Sequence, residues 1–520
     1  MCFPLRRGRS GLAAALATGA LACGFAAGGR IASSPPPMPP PPPAGPAPVR
    51  TLPIPAAGKV PPDIARALDN PPATEFVETL VEMSEQVDLD ALKVRFDAAT
   101  LDKTERRRAT IAALEEIAAR RKPLEDWLDA ELLEGSVDLW RGYAIVNRLY
   151  VSATPDVLRT LAARDDVAAL LPIKDEALLS DKPVAPRRPS HDAESSLPSA
   201  ASAPGISWAL DAMGVRRAWA AGWTGRGVVV GSLDTGIAGG HVSLRKNHRT
   251  ERGWFDPLAG RGEPWDDHGH GTETLGCAVG AGATPGEVGV APGARWIAVR
   301  VNPLNRYNAH GMTAGADWML REGKADVVLC AWGHGAGRCE TMDLSLLKAL
   351  RLAEIVVAFP AGNSGPLPGS GETPAALPPL FPGDVPPLAV AATDASGAVF
   401  ALSSRGPSPC AGAGQFPWIA APGSDVRVPS YGSPAGFETG AGTSLSAGYI
   451  AGVAALLLQR CPSLTVPLVE KAMAETAKNI GEPGPDTDSG YGLVNVPAAL
   501  EWAGRHCPAR AGSAPPRSGN

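Results

Sequence analysis

Four polar residues, far apart along the chain, have side chains suited to acyl transfer: Asp234, His270, Asn363 and Ser444. A serine hydroxyl ionises far above neutral pH. To act as a nucleophile it needs an imidazole to take its proton, a carboxylate to orient that imidazole, and N–H donors for the oxyanion that forms. Ser444 stands in Gly440 to Leu458, GAGTSLSAGYIAGVAALLL, where small residues suit a tight turn and the apolar run from Leu445 suits a helix buried on all sides. That puts Ser444 at a helix N-terminus, where backbone N–H groups and the positive end of the dipole favour developing negative charge. Taken alone, the stretch also fits a serine that merely caps a core helix. A membrane span over Ala441 to Leu458 just reaches the roughly 18-residue threshold, but the Gly, Thr and Ser of its first half argue against it.

The histidine comes from Asp266 to Gly276, DDHGHGTETLG, in which His270-Gly271-Thr272 opens a small-residue helix. A metal site of Asp266, Asp267, His268 and His270 is the rival on residue types, and an ordinary polar loop is the bland one. Asn363, in AFPAGNSGP, follows an apolar strand and offers a side-chain amide as an oxyanion donor, or is simply a turn residue beside Gly362. Asp234 ends the apolar strand Gly227 to Leu233.

The elements that must hold these groups alternate. Helical pattern around Trp208 to Ala220 is followed by apolar strands at 227–233, 294–301, 325–331, 354–359 and 387–392. Near-continuous apolar strands of this kind indicate a parallel sheet covered by helices on both faces, an α/β architecture with ligand sites beyond the carboxyl ends of the strands. Upstream, residues 72–172 read as a compact α+β unit without a catalytic cluster. Its β-rich runs are Phe76 to Met83, Tyr143 to Val151 and Val167 to Ile173, with a short helix over Pro155 to Arg164. Leu101 to Glu134 reads as one long charged helix, kinked at Pro123, with Ile111, Leu114, Ile117 and Ala118 on one stripe and KTERRR as a solvated face.

At 520 residues and 44% hydrophobic the chain can bury a large core, and a net charge of −5 argues against a nucleic-acid partner. Residues 1–22, with Arg6, Arg7 and Arg9 before an apolar run and Ala20-Leu21-Ala22, have the layout of a secretory signal peptide. The protein is therefore expected to be secreted or in the cell envelope, and Cys23 is the residue through which an N-terminal lipid would tether it to a membrane. Residues 23–62 form a Pro-rich linker, 63–180 the α+β domain, 181–205 an exposed linker carrying Arg187-Arg188, 206–505 the α/β domain and 506–520 a tail. Cys277, Cys330, Cys339, Cys410, Cys461 and Cys507 permit 15 disulfide pairings. Cys277, Cys330 and Cys461 sit in apolar surroundings and read as buried free thiols.

The segments DTGIAGGH at Asp234, HGT at His270, AGNSGP with Asn363, SSRGPS at 403–408, APG at Ala421 and GTS at Gly442 together resemble the subtilisin-like serine proteases. GVAPGARWIAVRV at 289–301 and GYGLVN at 490–495 resemble them too. The Asp, His, Ser order is that family's. The resemblance implies a three-layer domain around a mostly parallel seven-stranded sheet. It makes Asp234 the orienting carboxylate, His270 the base, Ser444 the nucleophile, and Asn363 with the Ser444 N–H the oxyanion hole. It needs no cofactor for chemistry and allows structural calcium, for which no acidic ligand set stands out.

Asp326 to Gly333 looks like an edge that pairs with an extended polypeptide substrate, with Ala331, Trp332 and Gly333 where the family usually has Ser-Leu-Gly. The α+β unit is similar to the propeptide of the bacillopeptidase F-like branch, which implies a zymogen whose own propeptide is a partner, released by cleavage between 181 and 205. Three departures stand out: Glu273 for a usual histidine, Leu445 for a methionine, and Gly448-Tyr449 for Pro-His. The rival functions are an inert subtilase scaffold acting as a surface binding protein, and an α/β-hydrolase. The latter is excluded by motif order and by Ser446 where its elbow needs glycine.

Overall fold

The structure, a computed structural model, describes residues 45–56, 58–173, 175–177, 208–281 and 288–507. The expected leader, Cys23 and the linker over 181–205 lie outside these residues. Among the described residues no helix is long and apolar enough to cross a membrane.

The first unit begins with β1 (Val49–Thr51), α1 (Pro62–Asp69), β2 (Val77–Met83), β3 (Glu85–Val87), α2 (Leu89–Ala98), α3 (Lys103–Ala119) and α4 (Lys122–Glu134). It continues through β4 (Val137–Tyr143), β5 (Arg148–Ala153), α5 (Pro155–Ala163), β6 (Val167–Leu171) and β7 (Asp175–Ala177). Strands β4, β5, β2 and β6 lie side by side, all antiparallel. Three expectations change. The proline-rich linker ends before residue 62, because β1 pairs with β3 and Ala47 is buried. The single β run at 143–151 is a β4–β5 hairpin. The long helix is two, broken at Arg120-Arg121, with Pro123 in the first turn of α4, where its missing N–H costs nothing.

The second unit carries α6 (Trp208–Ala212), α7 (Val215–Ala220), β8 (Val229–Asp234), β9 (Trp254–Phe255), α8 (His270–Val279), β10 (Arg295–Arg300), β11 (Arg306–Asn308) and α9 (Ala309–Trp318). After these come β12 (Val327–Leu329), α10 (Leu344–Leu352), β13 (Val356–Pro360), β14 (Leu388–Thr393), β15 (Ile419–Pro422), β16 (Val426–Pro429) and β17 (Phe437–Gly440). Last are α11 (Thr443–Arg460), α12 (Val466–Thr476) and α13 (Val496–Arg505). Seven strands form one parallel sheet in the order β15-β14-β13-β12-β8-β10-β9. This is the parallel α/β sheet that the alternating apolar strands indicate, with the seven strands that the resemblance implies. The strand order reverses at β8, which lies between β12 and β10, so a crevice opens beyond its carboxyl end. Asp234 is the last residue of β8.

Strand β12 is interior to the sheet, between β8 and β13, and so is not the expected substrate-pairing edge. Its three apolar residues are buried, as a central parallel strand demands. Only 331–333 run on past the sheet. The antiparallel pairing lies elsewhere: β7, at the end of the first unit, pairs with β11 in register Arg306↔Ala177 and Asn308↔Asp175.

The two units share one apolar core, in which Leu114, Ile117 and Ile145 join the side chains around α10. KTERRR is correspondingly not a solvated face. Arg107 Nε donates to Ala353 O at 3.2 Å and its guanidinium stands 3.6 Å from Asp326, while burial lowers the Lys103 ammonium to a pKa of about 8. Lys348 bonds both Asp90 oxygens at 2.8 Å, and Asp317 Oδ1 accepts the N–H groups of Ala144 and Ile145, each at 2.9 Å. Disulfides join Cys339 to Cys410 and Cys461 to Cys507, while Cys277 and Cys330 are free and buried. Cys461 is thus a bridge, not a free thiol. Its apolar setting at the end of α11 is reached by Cys507, two residues beyond α13.

Candidate active site

Asp234 is 1% exposed and organised by its neighbours. Its Oδ1 accepts the Thr235 N–H at 2.7 Å, its Oδ2 accepts the Thr274 hydroxyl at 3.3 Å, and His270 Nδ1 stands 2.8 Å from Oδ1. A carboxylate here requires the proton on Nδ1, which leaves Nε2 as the basic nitrogen of a neutral ring. His270 is the first residue of α8, and Gly271 beside it has no alternative. A Cβ there would lie 2.2 Å from Gly236 O and 3.0 Å from Asp234 Cβ.

Asp266 binds this turn together, and sequence reasoning gave it only to a rival metal site. Its Oδ1 accepts from Thr235 Oγ1 at 2.8 Å and Gly269 N at 2.8 Å, and its Oδ2 from Thr272 Oγ1 at 2.6 Å. Asp267 pairs with Arg300. Both carboxylates of the proposed metal set are thereby engaged in structural bonds, and no cluster of three metal-ligating side chains occurs among the described residues. The threonines that complete this lattice lie inside the DTG and HGT segments, which is the signal that could have found it.

Ser444 is the second residue of α11 and is 4% exposed. Gly442 precedes the helix at φ 147°, a conformation reserved for glycine. Helices α8 and α11 run the same way in close contact. A Cβ on Gly448 would lie 2.4 Å from Thr274 O, and one on Gly452 would lie 2.7 Å from Ala278 O. Ser444 and His270 stand one turn before Gly448 and Thr274 on these two helices. In this structure the Ser444 hydroxyl donates to Ala331 O at 2.9 Å.

Asn363 is oriented by Thr443, whose N–H and hydroxyl donate to its Oδ1 at 2.9 and 3.0 Å. Those two donors fix the amide so that Nδ2 is its other face. The Asn363 N–H in turn donates to Glu372 Oε1 at 3.1 Å. Neither Thr443 nor Glu372 was singled out from the sequence. Trp332, expected to shape a pocket, is 1% exposed within an aromatic cluster of Tyr307, Phe359 and His334, with ring centroids 6.0 to 6.5 Å away.

Of the three departures, Leu445 is buried. Tyr449 is fully buried and packs against the Cys277 thiol, whose pKa burial pushes up. Glu273 lies in the first turn of α8, where burial raises its carboxyl to about 7 against the lowering effect of His270. Glu438, Asp266 and Asp234 add to the rise.

A parallel sheet with its switch point at Asp234, and a carboxylate–imidazole pair on a helix packed against one whose second residue is serine, fit a hydrolase of the acyl-transfer type. Residues 225–492 match the family model described as Subtilase family, and the chain belongs to that family of serine endopeptidases. It is 30% identical over 403 residues to bacillopeptidase F of Bacillus subtilis (strain 168), covering 71% of this chain and 27% of that protein. It is 30% identical over 283 residues to subtilisin DY of Bacillus licheniformis, covering 54% of this chain and 94% of the relative. Alkaline elastase YaB of Bacillus sp. (strain YaB) is 31% identical over 295 residues, covering 56% and 70%. The chain thus spans about a quarter of the length of bacillopeptidase F.

Proposed function

We propose that this chain is an exported endopeptidase, made as a zymogen, that cleaves polypeptides through an acyl-enzyme on Ser444. His270 takes the hydroxyl proton as Ser444 attacks the scissile carbonyl. Asp234 holds the imidazole in the Nδ1–H tautomer and stabilises the imidazolium, and the proton then passes to the leaving amine. Asn363 Nδ2 and the Ser444 N–H receive the oxyanion. These groups of the chain suffice for the chemistry without a cofactor.

The observation that carries this reading is the buried 2.8 Å bond between His270 Nδ1 and Asp234, on a helix packed in register with the helix of Ser444. Export is inferred from the leader layout of residues 1–22. The zymogen reading is supported by the first unit's docking against α10 and by β7 lying on β11, from which cleavage between 181 and 205 would release the enzyme.

Labelling by a fluorophosphonate tests it. The probe is expected to modify the matured wild-type protein at Ser444 and not Ser444→Ala, which should lose at least about 10³-fold in kcat. Absence of labelling in correctly processed protein would instead leave a binding scaffold. Should Ser444→Ala show the same N-terminus near residue 200 as wild type, self-processing is excluded.

A further inference from the structure

Between β12 and α10 the chain runs from Cys330 to Asp343 with neither helix nor strand, and both ends of this stretch reach the site. Near its start Ala331 O accepts the Ser444 hydroxyl at 2.9 Å. Its later residues grip β11, the strand on which β7 lies. Asp343 Oδ1 accepts the Tyr307 hydroxyl at 2.8 Å, and the rings of Trp332 and His334 meet that of Tyr307 with centroids 6.0 and 5.3 Å away. An extended peptide that lies along β11 as β7 does would therefore depend on where this stretch is held.

The middle of the stretch has few ties. Gly335 and Gly337 adopt φ of 67° and 66°, and residues 337–339 and 341 are exposed. His334 and Thr373 exchange backbone hydrogen bonds at 2.9 and 3.0 Å, and the Gly337 N–H donates to Gly371 O at 3.0 Å. Farther on, Thr341, Met342 and Asp343 border a cavity of about 360 Å³. What ties the exposed tip between Gly337 and Thr341 to the rest of the domain is the disulfide from Cys339 to Cys410. Its other half is firmly set. Cys410 is 3% exposed, its N–H donates to Ser408 Oγ at 3.0 Å, and that hydroxyl donates to Ala376 O at 2.6 Å. Residues 370–377, which receive His334, Gly337 and Ser408, are all buried. The bridge thus pins an exposed loop to a buried block.

We propose that the Cys339–Cys410 disulfide positions the stretch 331–343 for peptide binding, so that opening it lowers substrate affinity without disabling the catalytic groups. The inference rests on Ser444 being the nucleophile. Asp234, His270 and Ser444 stand on β8, α8 and α11, none of which the bridge joins. A loop ordered in advance spares the incoming peptide the entropy of ordering it. A dithiol reductant opens the bridge in two exchanges. Its thiolate attacks the sulfur of exposed Cys339 and Cys410 leaves as a thiolate; the reductant's second thiol then displaces Cys339, closing its own disulfide and leaving two cysteine thiols.

The test measures KM and kcat for peptide p-nitroanilides of two, three and four residues, using matured protein with active sites titrated by fluorophosphonate. Cys339→Ser/Cys410→Ala is expected to raise KM for the longest peptide about tenfold or more with kcat little changed, and the rise should shrink as the peptide shortens. Its rate of labelling by the small probe should match wild type. Dithiothreitol on matured wild type should give the same rise in KM, reversed on reoxidation, and it serves if the double variant fails to mature. Cys461→Ala/Cys507→Ser, which lacks the other bridge, should melt at lower temperature yet keep the wild-type KM and the response to dithiothreitol. An unchanged KM in protein without the Cys339–Cys410 bridge, with only its melting temperature lowered, would overturn the inference and leave the nucleophile intact. So would a fall in kcat that is equal for every peptide length. A wild-type protein that neither labels nor cleaves would sink the nucleophile assignment and this inference with it.

Discussion

At the scale of single residues, the most consequential of the departures expected from the sequence is Glu273, one turn along α8 from His270. Burial lifts its carboxyl to about 7 from an ordinary 4.5, with Glu438, Asp266 and Asp234 adding to the rise and His270 opposing it. The folded state consequently holds a proton that the unfolded chain has released between these two pH values. Stability contributed here is present below 4.5 and declines as pH rises toward 7. Glu273→Gln removes the penalty, so the variant should gain on wild type by up to about 3 kcal/mol between pH 4.5 and pH 8, at about 1.4 kcal/mol per unit. Denaturant melts at the two pH values check this. Above pH 7 the ionised Glu273 also favours the His270 imidazolium. The acid limb of kcat/KM should accordingly move to lower pH in Glu273→Gln. An unmoved limb would mean that the two side chains do not communicate.

At the scale of elements, the site depends on how closely α8 and α11 approach, and Gly448 sets that distance. Its missing side chain admits Thr274 O, so Gly448→Ala must push the helices apart and with them His270 from Ser444. Overpacking of this sort costs about 1–3 kcal/mol, and a displacement near 1 Å between reacting groups costs on the order of 10²-fold in rate. Gly452→Ala makes the companion measurement, since its Cβ would meet Ala278 O at 2.7 Å one turn farther from the nucleophile. Both variants should lose similar stability by thermal melting, but Gly448→Ala should lose at least about tenfold more in kcat, with KM little changed.

Sequence patterning revealed these helices and the apolar strands, because buried parallel strands and an all-apolar helix leave long unbroken signatures. It did not reveal β9, β11, β16 or β17, which are two to four residues long and gain their pairing from tertiary neighbours. It placed β12 at an edge because three apolar residues read alike in the middle of a sheet and at its margin. The side chains of DTG, HGT and GTS were legible as chemistry. The supporting Asp266 and Thr443 were not, because their roles depend on contacts between segments 30 to 80 residues apart.

At the scale of the whole molecule, the misread KTERRR run points to the principal design. A basic helix face looks solvated until its partner is known, and here Asp326 and the Ala353 carbonyl on the second unit receive it. The same interface contains a titratable switch. His310, at the start of α9, is 4% exposed, stacks on Tyr150 of β5 at 3.8 Å, and has Nε2 2.7 Å from the Tyr143 hydroxyl of β4. Burial, with the charge of Arg141 adding to it, depresses the ring to a pKa of about 3. Asp317, two turns along α9, is engaged by Arg321 and by the N–H groups of Ala144 and Ile145. A separated pair of units would let His310 return toward its ordinary 6.5, so docking is fully supported above that value and weakens as pH falls from 6.5 toward 3. At pH 5 the loss is about 2 kcal/mol, from 1.5 units at about 1.4 kcal/mol each. In uncleaved Ser444→Ala protein, hydrogen exchange in β4 and β5, corrected for its intrinsic pH dependence, should therefore accelerate between pH 7 and pH 5. His310→Gln, which cannot take up the proton, should flatten that response while leaving exchange in the central sheet unchanged. An acceleration that persists in His310→Gln would assign the pH sensitivity to the carboxylates of the interface instead.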